Sequence, residues 1–208
     1  MAPLSRRELV ERCLATGALL LAPSVPLGLA RPLFAADVAY PPTPPNELGP
    51  FYKKKAPHTS TLAPAGAPGV PLAVEGIVLD TRGERLEGAV LELWHAGSDG
   101  LYDNEGYRYR GAIEAGPKGE YGFRTVLPGH YVGRVCQHIH YLVTAPGHKP
   151  LVTQLYFATD PAFDGDPDHN YTKDPLLKSR ELIRPVTLSG DAGKVSARVR
   201  FELCLQRA

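Results

Sequence analysis

The sequence Gly-His-Tyr-Val-Gly-Arg-Val-Cys-Gln-His-Ile-His-Tyr-Leu-Val, residues 129–143, contains two histidines separated by one isoleucine. In a β-strand, successive side chains alternate between the two faces. His138 and His140 would then point to the same side, about 7 Å apart at their backbone positions. Two imidazoles in this arrangement can bind one metal ion. The alternative is a strand that exposes two polar side chains to solvent, and the rest of the sequence helps to decide between them.

Composition restricts the class of protein. The 208 residues are enough for one domain with a sizeable core. The formal net charge is +1 and the basic residues are scattered, so we expect neither a nucleic-acid surface nor a membrane patch. Proline and glycine, 21 of each, are typical of a turn-rich β protein. The sequence has no apolar run of about 18 residues free of breakers, so we expect no transmembrane helix.

Residues 1–36 have the pattern of an export signal. Arg6 and Arg7 precede an apolar stretch at 13–29, and Phe-Ala-Ala at 34–36 offers small residues for cleavage. The arginine pair favours the twin-arginine route. Prolines in this region argue against the alternative, an amphipathic N-terminal helix. We therefore predict an exported protein, periplasmic or extracellular.

The rest of the chain predicts an all-β fold. Residues 37–70, rich in proline and alanine, are expected to form an irregular arm. Residues 107–118 are also expected to be irregular, and 160–174 a polar loop. Strands are predicted over 72–80, 89–94, 119–127, the histidine segment, 151–158, 182–188 and 195–205. Short strands punctuated by turns favour an antiparallel sandwich or barrel over residues 71–208, and we predict an antiparallel β-sandwich.

Two cysteines, Cys136 and Cys204, would remain after removal of the signal, which takes Cys13. An even number in an oxidising compartment permits a disulfide, but the sequence does not show that the two are close. In an extended segment Cys136 would be in phase with the histidines and is an alternative metal ligand. We prefer a packing role, since free cysteine is commonly buried.

Seven short motifs follow one another along the chain: Leu-Glu-Leu-Trp-His-Ala (91–96), Gly-Leu-Tyr (100–102), Gly-Glu-Tyr-Gly-Phe-Arg-Thr (119–125), Leu-Pro-Gly-His-Tyr (127–131), His-Ile-His-Tyr (138–141), Ala-Pro-Gly-His (145–148) and Thr-Gln-Leu-Tyr-Phe (153–157). Taken in this order, they resemble the motifs of the intradiol ring-cleavage dioxygenases, the family of protocatechuate and catechol dioxygenases. Each motif alone is weak, and their order makes the resemblance specific. Glu-Leu-Gly-Pro-Phe-Tyr, residues 47–52, is similar to a segment that precedes the core in many members.

The resemblance implies one non-haem ferric ion bound by two tyrosines and two histidines. The corresponding residues here are Tyr102, Tyr131, His138 and His140. Phenolates suit a hard trivalent ion, because a nearby cation favours ionisation of a phenol whose ordinary pKa is about 10. A ferrous site would instead need a carboxylate beside the histidine pair, and the sequence has none there.

Other residues near these motifs have competing interpretations. Tyr107 and Tyr109 are alternatives to Tyr102 as the first tyrosine ligand, because most tyrosines in a β-rich domain are packing residues. Tyr121 and Tyr141 are expected to pack in the core. His95 and His130 are expected to lie beside the site or at the surface.

The chain departs from the family pattern near the histidines. The family usually has an arginine three residues before the first histidine, where this chain has Val135; Arg134 lies one residue earlier. Gln154 matches the family's glutamine that contacts this arginine. Either Arg134 reaches the site through a changed loop or Gln137 takes its place.

The resemblance implies an enzyme that cleaves a catechol-type ring between its two hydroxyls with O₂, giving a muconate-type diacid. Tyr131 would leave the metal and act as general base, while Arg134 and Gln154 would stabilise charge on the ring. No organic cofactor or reductant is implied. One alternative is a secreted β-sandwich that binds an aromatic or polysaccharide ligand with a decayed metal site. Another is a zinc or ferrous enzyme on the same histidines.

The sequence leaves the identity of the catechol and the oligomeric state open. It lacks the long helical N-terminal region of catechol and hydroxyquinol enzymes, which favours a compact core like that of the protocatechuate enzymes. Family members often assemble, and the 37–70 arm could wrap around a neighbouring copy in a homo-oligomer.

Overall fold

The computed structural model describes residues 40–191 and 194–208. The predicted export signal, residues 1–36, lies outside the described residues. No helix within the described ranges is long and apolar enough to cross a membrane.

The described residues form ten strands and very little helix. The strands are β1 (Pro71–Asp80), β2 (Val90–Trp94), β3 (Arg110–Glu114), β4 (Glu120–Val126), β5 (His138–Thr144), β6 (Leu151–Phe157), β7 (Ile183–Arg184), β8 (Val186–Ser189), β9 (Ser196–Arg200) and β10 (Leu203–Leu205). One four-residue α-helix, α1 (Pro167–Asn170), and single 3₁₀ turns at Pro161–Phe163, Tyr171–Lys173 and Arg180–Leu182 complete the description. The all-β prediction is confirmed.

The strands form two mixed sheets. In the first, the order is β10-β1-β9-β8, with β4 also paired to β1. In the second, the order is β3-β2-β5-β6-β7. Most pairs are antiparallel, as expected, but β9 and β10 run parallel to β1, and β7 runs parallel to β6. Parallel pairing needs a long connection between partners, and the chain between each of these pairs is long enough to cross over.

Both sheets contribute an apolar face to one buried core, in a sandwich-like arrangement. Leu72, Val74 and Val199 come from the first sheet. The second sheet supplies alternate residues of its strands, such as Leu91 and Leu93 of β2 and Ile139 and Tyr141 of β5. The residues between them, including both histidines of β5, therefore lie on the opposite face of the second sheet.

Four predicted segments differ from the structure. Residues 160–174, expected to be a polar loop, contain α1 and two of the 3₁₀ turns. Residues 110–114, expected to be irregular, form β3. The segment 182–188 is divided between a 3₁₀ turn, β7 and β8, because Pro185 has no N–H to continue the ladder. The segment 195–205 is divided at Phe201, whose N–H donates to Glu75 O and whose carbonyl accepts from the Tyr121 hydroxyl.

The described part of the arm, residues 40–70, has no named strand but is fixed along the sheets. Thr43 N donates to Cys204 O, and Asn46 N donates to Val152 O at 2.8 Å. Further along, Thr59 N donates to Ala112 O on β3. Between these contacts, residues 47–52 of the arm cross the face of the second sheet that carries the histidines.

Candidate metal centre

Four strands of the second sheet align polar and aromatic side chains in one row. Arg110 on β3 lies opposite Trp94 on β2. Trp94 lies opposite His140 on β5, which lies opposite Gln154 on β6. Directly paired residues in a sheet point to the same face, with Cβ atoms about 4.5–5.5 Å apart. In the next row, His138 lies opposite Tyr156.

His138 and His140 share one face, as the alternation predicted. Their ring centroids are 4.8 Å apart. His138 Nδ1 donates to Cys136 O at 2.8 Å, so Nε2 carries the lone pair. His140 Nδ1 lies 3.2 Å from Gln154 Nε2, and its ring stacks on Trp94 at 4.9 Å. These contacts fix the orientation of both rings.

Both imidazoles are neutral. Burial, followed by the charge of Arg134, lowers the pKa of His138 to about 3. Burial and the neighbouring His138 hold the pKa of His140 well below its ordinary value. A neutral imidazole is the form that binds metal ions.

Tyr102 and Tyr131 approach the histidines from two loops. Tyr131 Oη lies 3.3 Å from His138 Nε2. The Tyr102 ring centroid lies 5.4 Å from that of Tyr131 and 6.4 Å from that of His140. The Tyr102 hydroxyl is buried with no hydrogen-bond partner among the described residues. Burial, then the neighbouring Tyr131, raise the pKa of Tyr102, so in the protein alone it is a phenol.

The alternative ligands lie elsewhere. Tyr107 is partly exposed and donates to Lys54 O, and Tyr109 packs beside His95. His95 is buried, with Nε2 2.7 Å from Thr125 Oγ1. His130 Nε2 lies 2.8 Å from a carboxylate oxygen of Asp160, at the edge of the site.

Neither cysteine is placed as a ligand or in a disulfide. Cys136 and Cys204 are both buried free thiols. Cys136 packs in the core just before β5, and its carbonyl rather than its sulfur contacts His138. Burial, then the charge of Asp160, raise the pKa of the Cys136 thiol to about 12. This arrangement agrees with the packing role expected from the sequence.

Arg134 reaches the site despite its displaced position in the sequence. Its Nη2 donates to Gln154 Oε1 at 2.9 Å and to Tyr156 Oη at 2.7 Å. Its Nη1 lies 3.1 Å from His138 Nε2, and its Nε pairs with Asp174 at 3.4 Å. Gln137, the alternative, donates instead to Pro128 O. The absence of the family's arginine motif was the one feature of the sequence that favoured a decayed metal site. The contacts of Arg134 with Gln154 and His138 take away that support.

The arm covers the site from the other side. Gln154 Nε2 donates to Glu47 O at 2.6 Å. Gly49, at φ +72°, lies so close to His140 that an added Cβ would be 3.1 Å from its Cε1. Phe51 stacks on Tyr102 with 4.1 Å between centroids. The segment 47–52, singled out in the sequence, thus contacts Gln154, His140 and Tyr102.

The available donors suit a hard trivalent cation. Within residues 40–191 and 194–208, no cluster of three or more His, Cys, Asp and Glu side chains could hold a metal. The donors that the site brings together are two neutral imidazoles and two phenols. A buried hydroxyl without a partner costs about 1–3 kcal/mol, and a cation beside Tyr102 would relieve that cost by favouring the phenolate.

Arg110 and Asp174 were not identified from the sequence as residues of the site, and neither were Trp94 and Tyr156. Arg110 was hidden because strand β3 was not predicted. Asp174 ends a polar loop that is distant in sequence from every motif, and nothing in its local pattern distinguishes it from neighbouring acidic residues. Only the fold brings its carboxylate, which is 1% exposed, to Arg134.

Comparison with known proteins agrees with this geometry. A family model described as "Dioxygenase" matches residues 48–207. A hydroxyquinol 1,2-dioxygenase of Nocardioides simplex is 32% identical over 188 residues, 77% of this chain and 64% of that protein. A chlorocatechol 1,2-dioxygenase of Rhodococcus opacus is 33% identical over 76% of this chain and 70% of its own length. The chain thus spans about two thirds of the length of these relatives.

Among solved structures, the dioxygenase domain of a dioxygenase–carbohydrate-binding protein fusion from Streptomyces sp. SirexAA-E superposes with a TM-score of 0.70. It is 34% identical, and the match covers 81% of this chain and all of that domain. On the family match and these relatives, the chain belongs to the intradiol ring-cleavage dioxygenase family.

Proposed function

We propose that this protein is a non-haem Fe(III) dioxygenase that cleaves catechol-type rings between the two hydroxyls, with O₂ as co-substrate. The observation that carries the proposal is the convergence of two neutral imidazoles and two phenols, one of which, Tyr102, has no hydrogen-bond partner. The relatives' names support substrates of the catechol and hydroxyquinol type rather than protocatechuate.

Each residue has a distinct task in this proposal. A ferric ion held by Tyr102, Tyr131, His138 and His140 would withdraw charge from a bound catecholate and so make its ring reactive towards O₂. Tyr131 is the suitable proton acceptor, because it lies on a short turn and is only partly buried, so its side chain can move. Tyr102 is held by stacking on Phe51 and remains in place.

Arg134 and Gln154 would stabilise negative charge as it develops on the substrate. The guanidinium is oriented by Gln154, Tyr156 and Asp174 before any substrate arrives. Preorganised donors of this kind stabilise a transition state without reorganising during the reaction. Trp94 and the arm segment 47–52 exclude water from the two histidines, which are 2% and 1% exposed.

The test is spectroscopic and chemical. Purified protein loaded with ferric iron should be red-brown from tyrosinate-to-iron charge transfer, and its spectrum should shift when catechol is added. Oxygen uptake over a panel of catechols, with products identified, should give muconate-type diacids. A colourless protein without iron would favour the alternative of a binding module with a decayed metal site. A colourless protein that contains zinc or ferrous iron would favour the alternative of a zinc or ferrous enzyme.

A variant pair tests the ligand role. His138→Ala should lose both iron and colour. His169→Ala removes a histidine whose side chain is 85% exposed, and should retain both. If His138→Ala binds iron as the unmodified protein does, the proposed ligand set is wrong.

We also propose that residues 1–36 direct export through the twin-arginine route. The arginine pair before the apolar stretch supports this. Fused to a reporter protein, the segment should deliver it to the periplasm or medium, and Arg6→Lys with Arg7→Lys should block delivery. Delivery that does not depend on the pair would contradict the route.

A further inference from the structure

Arg110 is a buried cation beside the candidate metal centre. It is 2% exposed and lies on β3 in register with Trp94, so its side chain is on the face that carries the histidines. Its Nη1 donates to Phe51 O at 2.6 Å and its Nη2 to Asp103 O at 3.2 Å. Its buried Nε has no partner among the described residues.

These hydrogen bonds leave the charge of Arg110 without an ion-pair partner in the described ranges. Both acceptors are neutral backbone carbonyls. The Asp103 carboxylate is engaged by Arg108 and by the N–H groups of Glu105 and Gly106. A buried charge is costly unless it is paired, so an isolated guanidinium at this position needs an explanation.

An ionised Tyr102 would supply a negative charge next to Arg110. The guanidinium carbon is 5.8 Å from the centroid of the Tyr102 ring. The two carbonyls that Arg110 binds belong to the residue that follows Tyr102 and to Phe51, which stacks on it. Arg110 therefore fixes the backbone of the residue after Tyr102 and that of Phe51, which stacks on the Tyr102 ring, and it places a positive charge near that ring.

We propose that Arg110 is a positioning residue for Tyr102 and the counter-charge of its phenolate in the metal-loaded protein. The inference rests on the proposed function, because it requires Tyr102 to be a metal ligand. The competing interpretation is a structural cross-link that ties the arm to the 103 loop and has no effect on the metal.

Three variants separate the two interpretations. Arg110→Met removes the charge and both hydrogen bonds, and Arg110→Lys keeps the charge but loses the forked geometry. Arg108→Met is the matched control, since that arginine is 66% exposed in its side chain and contacts the carboxylate of Asp103 rather than its backbone carbonyl. Iron retention is measured by competition with a chelator, and the charge-transfer band by its wavelength.

Arg110→Met should weaken iron retention about tenfold or more, the range for losing a charged hydrogen-bonding partner. Its band should move to longer wavelength, because the positive charge that opposes electron transfer from phenolate to iron is gone. Arg110→Lys should keep the band near its original position while retaining iron less well. Arg108→Met should change neither measurement.

An iron-loaded Arg110→Met protein with an unmoved band and unchanged iron retention would overturn the inference, even if its stability fell. Should Arg110→Met not fold, the Lys variant decides: iron retention equal to that of the unmodified protein refutes the positioning role. In a Tyr102→Phe background, substitution of Arg110 should cost no further iron retention, and additive losses would contradict the coupling. An unmodified protein that binds no iron refutes the proposed function instead.

Discussion

The buried ion pair between Arg134 and Asp174 makes a quantitative prediction. Replacing Asp174 with asparagine keeps the size of the side chain but removes its charge. Breaking a buried pair by removing one partner costs about 3–5 kcal/mol, because the other charge is left uncompensated. Arg134 would keep two neutral acceptors, Gln154 Oε1 and Tyr156 Oη, so we place the loss at the lower end, about 3 kcal/mol.

The hydrogen bonds of Asp174 add to this expectation. Its two carboxylate oxygens accept from Cys136 N at 3.2 Å and from Leu176 N at 2.9 Å. An asparagine side chain has only one acceptor oxygen and would leave one of these N–H groups unpaired. Since Cys136 lies between Arg134 and the start of β5, the loss should also disturb Arg134, and turnover of catechol should fall about ten- to hundredfold.

Urea denaturation at pH 7 measures the stability change, and iron content shows whether the metal centre survives. The matched control is Glu75→Gln, which breaks the pair with Arg198 at the surface, where the two side chains are 51% and 63% exposed. Exposed pairs contribute less than about 1 kcal/mol, so this variant should unfold nearly as the unmodified protein does. Equal effects of Asp174→Asn and Glu75→Gln would refute the reasoning.

Four further substitutions test other parts of the protein. Tyr131→Phe should keep most of the iron and lose most turnover; unchanged activity would remove Tyr131 as the departing base. Gly147→Ala, at φ +73° with open space around an added Cβ, should lower the free energy of unfolding by about 1–2 kcal/mol through backbone strain alone. Gly49→Ala should lower the free energy of unfolding in urea by more than Gly147→Ala does, and it should reduce turnover, because the added methyl would also press on His140. Equal losses of stability in the two variants would show that the His140 ring moves aside. Burial lowers the pKa of His95 to about 4, below its unfolded value, so its contribution to stability is full above pH 6.5 and is lost as the pH falls towards 4. In the His95→Gln variant, the free energy of unfolding measured in urea should fall by about 3 kcal/mol less between pH 6.5 and pH 4. A fall equal to that of the unmodified protein would contradict the lowered pKa of His95.

The alternation of side chains made one half of the site predictable. Placing Ile139 and Tyr141 in the core necessarily puts His138 and His140 on the opposite face, and the structure follows this pattern. The cross-strand register was not predictable in the same way. The position of Trp94 opposite His140 depends on the length of the chain between β2 and β5, and no local pattern encodes that pairing.

Strand β3 was missed because its residues are poor strand formers. Of Arg-Gly-Ala-Ile-Glu, only Ile113 has a strong preference for strands. Tertiary contacts decide the conformation. The strand pairs with β2 on one side, and on the other the arm comes so close that a Cβ on Gly111 would be 2.7 Å from Thr59 O. An unpredicted strand then hides the functional relevance of Arg110, since its face cannot be assigned without the register.

The position of Arg134 was left open for a related reason. A motif that fixes an arginine three residues before a histidine does not apply here, because Arg134 lies four residues before His138. Here a turn brings Arg134 N to Tyr131 O at 3.1 Å, with Gly133 at φ +91°. The turn redirects the arginine side chain towards Gln154, so the contact is preserved although the spacing is not.

The arm also has to be counted as part of the site, although its composition is that of a linker. Without residues 40–52, Gln154 Nε2 would lose Glu47 O, and Arg110 Nη1 would lose Phe51 O. Each buried group left unpaired would cost about 1–3 kcal/mol, and the stacking on Tyr102 would be lost as well. The second sheet supplies both histidines, Arg110 and Gln154, and the arm helps to enclose them. A metal centre of neutral imidazoles and phenols depends on that enclosure, because exclusion of water is what keeps the two histidines uncharged.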